Sequence, residues 1–286
     1  MGLIILNYIQ RAKQFKTKKR LGQNFLVDEI IIQKIIDKAD LSSEDTIIEI
    51  GAGAGFVTEK LAEIAKKVIA IELDENAIEV LQQLPYENIE IIHQDILKTN
   101  ISELVNSPVK IIANIPYYIT SPIIAHLLGE IDDIDNKNRQ SITEIILMVQ
   151  YEVAKRITAD EKSPSKEYGL LSILANFWAE TEFICKVPSK SFYPAPKVDS
   201  ALIKLKIRQK PLVELENPKL FRRIIKAAFG TRRKTLKNAL LQGGFPSEVL
   251  SQAFEKTGIN SDRRGETLSM QEYKILTEVV EDFLKG

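Results

Sequence analysis

IIEIGAGAG, residues 47–55, joins a short β-rich apolar run to glycines at positions 51, 53 and 55. Glycine lets a backbone turn sharply and approach a ligand closely. The segment FVTEKLAEIAK follows with helical spacing, and the next strand, VIAIEL, carries Glu72 near its end, 21 residues beyond Gly51. A carboxylate at that point of an open sheet accepts hydrogen bonds from ribose hydroxyls. A glycine turn alone is ordinary chain geometry. Backed by Glu72, it implies a nucleoside-bearing cofactor held at Gly51, Gly53 and Glu72. A dinucleotide fingerprint wants a small residue at position 56, where Phe56 stands. S-adenosylmethionine fits better, having a ribose and an adenine but no pyrophosphate to cradle.

The pattern continues on both sides of this turn. Apolar runs TIIEI, VIAIEL, IEIIH, VKIIAN and TEIILMVQ alternate with helical segments, and DEIIIQKIIDK begins behind Asp28, a helix-capping residue. Such runs read as strands buried on both faces, so the expected fold is α/β, a doubly wound, mostly parallel sheet of Rossmann-like type. TEFICKVP and KVDSALIKLKI read as an antiparallel edge hairpin, and RQKPLVELENP as a linker. Beyond it the chain reads as helix. NPKLFRRIIKAAFG places Leu220, Phe221, Ile224, Ile225, Ala228 and Phe229 on one stripe, with Arg222, Arg223 and Lys226 off it. The expected division is a cofactor-binding domain over 1–208 and a small, all-helical, basic domain over 209–286. A chain of 286 residues suits one large domain plus a small one.

Several classes are disfavoured. The single cysteine, Cys185, permits no intrachain disulfide and suits a reducing cytoplasm. His93 and His126 lack metal-ligand spacing, so no metal is expected. The opening MGLIIL is too short for a membrane span, and the basic residues follow it where a signal peptide has them in front. Leu6 breaks the myristoylation pattern. The apolar extension MGLIILNYIQ suggests no role of its own.

Lys+Arg and Asp+Glu are equal at 39 each, yet unevenly spread. Residues 41–200 hold 14 basic groups against 25 acidic, and residues 201–240 hold 12 against 2. The first 27 residues hold 6 basic groups and no acid. This suggests a polyanion held by Lys18, Lys19 and Arg20 at one end and by Arg222, Arg223, Arg232, Arg233, Lys234 and Lys237 at the other. For the short N-terminal run, ordinary charge imbalance is the simpler reading. These groups read as phosphate contacts, which position a nucleic acid without specifying its sequence.

Two further strand ends carry chemistry. In IEIIHQDIL, Asp95 lies just past the strand, at the rim where it can accept from an adenine amine or cap a turn. In IIANIPYYITSP, residues 111–122, an amide, a proline and two tyrosines close a strand. An exocyclic adenine amine is a poor nucleophile because its lone pair is delocalised into the ring. Acceptors aimed at its hydrogens free that lone pair, and the Asn114 side-chain oxygen and the Ile115 carbonyl are placed to serve. Pro116 fixes the turn. Tyr117 offers a face on which an extruded base stacks, worth on the order of 1–3 kcal/mol.

With these motifs in hand, the chain resembles the bacterial small-subunit (16S) rRNA adenine N6,N6-dimethyltransferases. The likeness runs through KKRLGQNFLVD (18–28), IEIGAGAG, NIPYYITSPI, MVQYEVAKRI, YGLLSI, SFYPAPKVDSALIKL and AFGTRRKTLKNAL. It implies transfer of methyl groups from S-adenosylmethionine to two adjacent adenines in a hairpin near the rRNA 3′ end. It also implies a monomeric cytoplasmic enzyme acting on small-subunit rRNA or the immature 30S subunit. By the resemblance, Asn24, Leu26, Gly51, Glu72, Asp95 and Asn114 contact the cofactor. Gln23 belongs to the same lid-like N-terminal motif, and Phe192 flanks the target base opposite Tyr117. The macrolide-resistance methylases of large-subunit rRNA share LGQNFL and the Asn-Ile-Pro-Tyr motif, but AFGTRRKTLKNAL fits the small-subunit family. A ribosome-assembly factor with dispensable chemistry is the alternative of another class; it would leave Glu72 and Asn114 without a reason for their places.

Overall fold

The computed structural model describes residues 7–15, 17–18, 22–164, 166–231 and 233–285. Its strands are β1 (Phe25–Leu26), β2 (Thr46–Ile50), β3 (Lys67–Glu72), β4 (Ile89–His93), β5 (Val109–Asn114), β6 (Ile142–Gln150), β7 (Ala179–Val187), β8 (Phe192–Tyr193) and β9 (Ser200–Ile207). Its first nine helices are α1 (Tyr8–Gln14), α2 (Glu29–Ala39), α3 (Phe56–Ala62), α4 (Glu75–Leu81), α5 (Ile101–Leu104), α6 (Thr120–Leu128), α7 (Lys137–Gln140), α8 (Tyr151–Ile157) and α9 (Leu170–Trp178). Four follow β9: α10 (Pro218–Gly230), α11 (Leu236–Gln242), α12 (Ser247–Thr257) and α13 (Met270–Lys285).

Seven strands form one sheet in the order β4-β3-β2-β5-β6-β9-β7. The pairs β2–β3, β3–β4, β2–β5 and β5–β6 are parallel, and β9 is antiparallel to β6. This is the doubly wound sheet expected, with β9 and β7 closing one edge. The Ile- and Val-rich runs of β2, β3, β5 and β6 are buried almost throughout, because helices cover both faces. The run IEIIH departs from that expectation: β4 is the opposite edge strand, and Glu90 and His93 are exposed. Asp28 caps α2 by accepting from the Ile30 and Ile31 amides, and α2 buries Ile31, Ile32, Ile35, Ile36 and Ala39.

The extension that lacked a role in the sequence is partly structural. Residues 1–6 lie outside the described chain, but Asn7 caps α1 through a capping box with Gln10. Tyr8 stacks on Phe56, the first residue of α3, with ring centroids 4.7 Å apart. Arg11 pairs with Glu59 one turn further along the same helix. The helix that starts at the glycine turn is thereby braced from outside.

Chain contacts divide the protein into two units. One comprises the chain through Leu127 with Asn136–Ala154 and Glu182–Ile207; the other comprises Leu128–Asp135, Lys155–Thr181 and the chain from Arg208 onward. The second unit is built around α10, whose six-residue apolar stripe, read from the sequence, is buried in full. Asn217 caps α10 by accepting from the Leu220 amide, and Pro218 occupies the first turn. Phe177 of α9 packs against Phe221, and Tyr168 against Phe229. The segment read as a linker is packed rather than free. Arg208 N–H donates to the Trp178 carbonyl (2.8 Å), Leu212 N–H donates to the Phe177 carbonyl (2.9 Å), and Val213 is buried.

Candidate active site

Strand order reverses beside β2: the chain runs to β3 and β4 on one side, then returns to β5 and β6 on the other. Ligands of open α/β sheets bind in the crevice at such a switch point, outside the carboxyl ends of the strands. A cavity lies there, lined among others by Gly51, Gly53, Glu72, Asp95, Asn114 and Tyr117. Gly51 follows β2 with φ +75°, and a Cβ on it would stand 3.1 Å from the Asn114 carbonyl oxygen. Backbone conformation and close approach both demand glycine.

Glu72 is fixed by three backbone donors. Gly53 N–H reaches its Oε2 at 2.8 Å, while Leu73 and Asp74 N–H reach Oε1 at 2.8 and 2.9 Å. A carboxylate held this way keeps lone pairs for a diol in the cavity. Asp95 lines the same cavity and also caps the short 3-10 turn Ile96–Lys98, accepting from Leu97 N–H at 3.0 Å. Ile50, Ile71 and Ile96 supply apolar walls. A fixed carboxylate, a tight glycine turn and apolar sides suit a nucleoside, so these residues fit the adenosyl half of S-adenosylmethionine.

On the β5 side, Ile115 is buried, Tyr117 is half-buried and Tyr118 is exposed. Asn114 Nδ2 donates to the Asn24 carbonyl at 3.4 Å. The Tyr117 hydroxyl meets the Ser200 hydroxyl at 2.5 Å, which anchors the tip of the side chain. Burial raises the Tyr117 pKa, and the Ser200 contact opposes that shift. Ile115, Pro116 and Tyr117 all line the cavity.

The N-terminal motif reaches this cavity through a small ribbon. Strand β1 pairs antiparallel with β8, Phe25 opposite Tyr193 and Leu26 opposite Phe192. Val27 N–H donates to the Ser191 carbonyl at 2.9 Å, and Ser191 Oγ donates to Asp28 at 2.7 Å. GQNFL and SFYPAPKV, far apart in sequence, thus become one element. Gln23 and Asn24 line the cavity. Leu26 lies against the neighbouring glycine-loop pocket instead. Phe192 is placed otherwise than as a flank for a base: it is 3% exposed, belongs to the core and does not line the cavity.

The basic residues separate into engaged and free. Lys18 turns inward to Asp74, with Nζ 2.5 Å from Oδ1. Lys19, Arg20 and Arg232 lie outside the described residues. Arg222 pairs with Glu130 (3.0 Å) and Asp132 (3.3 Å). Arg223 covers the Phe245 ring, 4.3 Å from its centroid, and donates to the Gly244 carbonyl. Arg233, Lys234 and Lys237 cluster at the start of α11, and among the described residues no carboxylate pairs with them. Lys234 instead donates to Gln242 Oε1 at 2.8 Å.

One residue of the opening motif carries no expectation from the sequence. Glu49 alternates with isoleucines in β2, yet it is 3% exposed, and its Oε2 has no hydrogen-bond partner among the described residues. An acid among isoleucines directly before a glycine turn was the available signal. Burial pushes its carboxyl up to about 7, softened by the Thr58 hydroxyl and reinforced by the Glu72 carboxylate. Below about 4.5 the folded and unfolded chains both hold this proton. Between about 4.5 and 7 only the folded chain keeps it, so stability falls as pH rises. Above 7 the loss is complete, on the order of 3 kcal/mol at 1.36 kcal/mol per pKa unit. Glu49→Gln is therefore expected to melt higher than wild type at pH 8 and level with it near pH 4.5. Melting curves across that range check this, and parallel pH profiles would remove Glu49 as the source.

Among known proteins, the sequence model of the family described as "Ribosomal RNA adenine dimethylase" matches residues 14–282. A "Ribosomal RNA small subunit methyltransferase A" from Clostridium botulinum is 44% identical over 275 residues, 95% of this chain and 96% of that one. Its counterpart from Alkaliphilus metalliredigens is 42% identical over 276 residues, 93% of each chain. The solved structure of a dimethyladenosine transferase from Plasmodium falciparum superimposes with a TM-score of 0.70 at 27% identity, covering 90% of this chain and 96% of that one. The 23S rRNA methyltransferase ErmE does so with a TM-score of 0.68 at 26% identity, covering 90% and 100%. The folds are alike in both; sequence identity is what favours the small-subunit relatives.

Proposed function

We propose a function from the premise that this chain belongs to the ribosomal RNA adenine dimethylase family. It is an S-adenosylmethionine-dependent methyltransferase that dimethylates adenine N6 in small-subunit rRNA. The observation that carries the reading is the meeting of Gly51, Glu72, Asp95 and Asn114–Tyr117 around one cavity at the sheet's switch point. Further, the targets are two adjacent adenosines in the 3′-terminal hairpin, met in small-subunit rRNA or in the immature 30S subunit. The enzyme works as a monomer in the cytoplasm. No helix among the described residues is long and apolar enough to cross a membrane. Residues 1–208 carry the cofactor and the chemistry, and 209–286 carry the RNA contacts.

Placement around the cavity supports the following roles. Glu72 accepts from the ribose hydroxyls, and Asp95 accepts from the cofactor's adenine amine. Gly51 and Gly53 let the backbone close on the ligand. When bound, S-adenosylmethionine supplies an electrophilic methyl group. Asn114 Oδ1 and the Ile115 carbonyl accept from the target amine and free its lone pair, and the Tyr117 face holds the base. With Arg222 and Arg223 engaged within the protein, Arg233, Lys234 and Lys237 are the phosphate contacts.

The test is incubation with labelled S-adenosylmethionine and separately purified, unmethylated small and large subunits or their naked rRNAs, then mapping of the label. Label is expected in the small-subunit 3′ hairpin as dimethyladenine. Label in large-subunit rRNA would replace this reading by the macrolide-resistance type. As a second arm, Glu72→Ala should weaken cofactor binding by about 1.5–3 kcal/mol, the scale of a hydrogen bond to a charged group, and leave RNA affinity unchanged. Calorimetry showing unaltered cofactor affinity would remove Glu72 from the site.

A further inference from the structure

Asp74, two residues beyond Glu72, is 1% exposed and caps α4 by accepting from Asn76 N–H at 3.2 Å. Capping alone does not call for a charge, since Asn and Ser cap as well as Asp. A buried carboxylate needs charged or donating partners. Here both come from the N-terminal segment: Lys18 Nζ at 2.5 Å on Oδ1 and Gln23 Nε2 at 2.6 Å on Oδ2. Lys18 and Gln23 are joined in turn, Lys18 N–H donating to Gln23 Oε1 at 2.7 Å. Asn24 follows directly, and its carbonyl receives the Asn114 amide at 3.4 Å. From Phe25 the segment is held again by the β1–β8 ladder. Residues 22–25, which line the cavity, are therefore fastened at both ends, and the upstream fastening is Asp74.

We propose that Lys18, Gln23 and Asp74 form a fastening that positions Asn114 for methyl transfer. An amide has a donor end and an acceptor end. Holding the Asn24 carbonyl against Nδ2 turns Oδ1 toward the reacting amine. The same Asp74 also donates its backbone N–H to Glu72, so one buried residue steadies both the cofactor carboxylate and the catalytic amide. Lys18 is on this account a positioning residue and not a phosphate contact. The inference rests on the methyltransferase reading above.

Asp74→Asn keeps the volume and the cap and removes the charge that Lys18 meets. Lys18→Met removes the other partner, and Lys18→Arg retains it. The full-length proteins are compared for kcat and KM on unmethylated small-subunit rRNA, S-adenosylmethionine affinity by calorimetry, the salt dependence of RNA binding, and hydrogen exchange over residues 22–26. Asp74→Asn and Lys18→Met are each expected to lower kcat at least tenfold and to speed exchange over 22–26. Their double variant should be no worse than the weaker single, and Lys18→Arg should recover most of the rate. The RNA salt slope should stay at the wild-type value. If Lys18→Met left kcat unchanged and flattened the salt slope, Lys18 would be a phosphate contact and the proposal overturned. Additive losses in the double variant would also overturn it. Should Asp74→Asn fail to fold, the Lys18 pair and exchange over 22–26 decide alone. A wild-type protein that bound no cofactor would instead sink the methyltransferase reading.

Discussion

Reversing Arg233, Lys234 and Lys237 to Glu is expected to weaken rRNA binding by roughly two to three orders of magnitude near 0.1 M salt. Each phosphate contact contributes about 0.7–0.9 to the slope of log K against log salt through counterion release. Relative to 1 M salt, three contacts are then worth about two to nearly three decades at 0.1 M, and the slope should flatten by the same sum. The fold should not suffer. The three residues sit just before or within the first turn of α11, which Thr235 caps by accepting from Asn238 N–H. Acidic groups at a helix N-terminus are favourable toward its dipole, so the reversed protein should melt no lower than wild type. Cofactor affinity should be untouched. Filter binding or fluorescence anisotropy over a salt series measures the effect. An unchanged salt slope would show that this cluster faces solvent in the complex.

This choice of residues shows where sequence and structure part. The charge imbalance over 201–240 was legible, and helical spacing put Arg222 and Arg223 off the apolar stripe. Spacing could not reveal their engagement, because their partners Glu130, Asp132 and Phe245 lie elsewhere in the chain. The same distance hid Asp74, whose partners Lys18 and Gln23 are 56 and 51 residues away. Glycine turn, strand and acid were legible for the opposite reason. A strand that must be buried and a backbone that must turn leave local marks, in isoleucine runs and in Gly51. Segment 155–181 carried no mark of the company it keeps: Tyr168 packs against Phe229 and Phe177 against Phe221 of α10, partners that local spacing does not show. Nor did the sequence show that Phe192 would face the core, since which side of a two-residue strand is covered depends on the register with Leu26.

Asn114→Ala is expected to lose methyl transfer by about a hundredfold to a thousandfold, the scale of removing one preorganised polar group aimed at the reacting atoms. The fold should survive, because Asn114 ends β5 half-buried and its side-chain bond to the Asn24 carbonyl is long at 3.4 Å. Tyr117 should behave differently. In the proposed role its ring presents a face to the base, while its hydroxyl is turned to Ser200 at 2.5 Å. Tyr117→Phe keeps the face and loses only that anchor, about 0.5–1.5 kcal/mol, so the rate should fall a few-fold. Tyr117→Ala removes the stacking surface, worth about 1–3 kcal/mol, together with the alignment it provides, and should lose most activity in the RNA-dependent step. Two methyl groups on one nitrogen sharpen the distinction. The monomethylated amine returns with one N–H fewer, so a site relying on both hydrogens would stop halfway. A site that locates the base by its ring face accepts the second round with Asn114 Oδ1 or the Ile115 carbonyl alone. Mass spectrometry of digested rRNA, counting mono- and dimethyladenine for each variant, reads both points. Tyr117→Phe should still make dimethyladenine. Were it as inactive as Tyr117→Ala, the hydroxyl and its bond to Ser200 would be the working part, and stacking would not explain how this site holds its base.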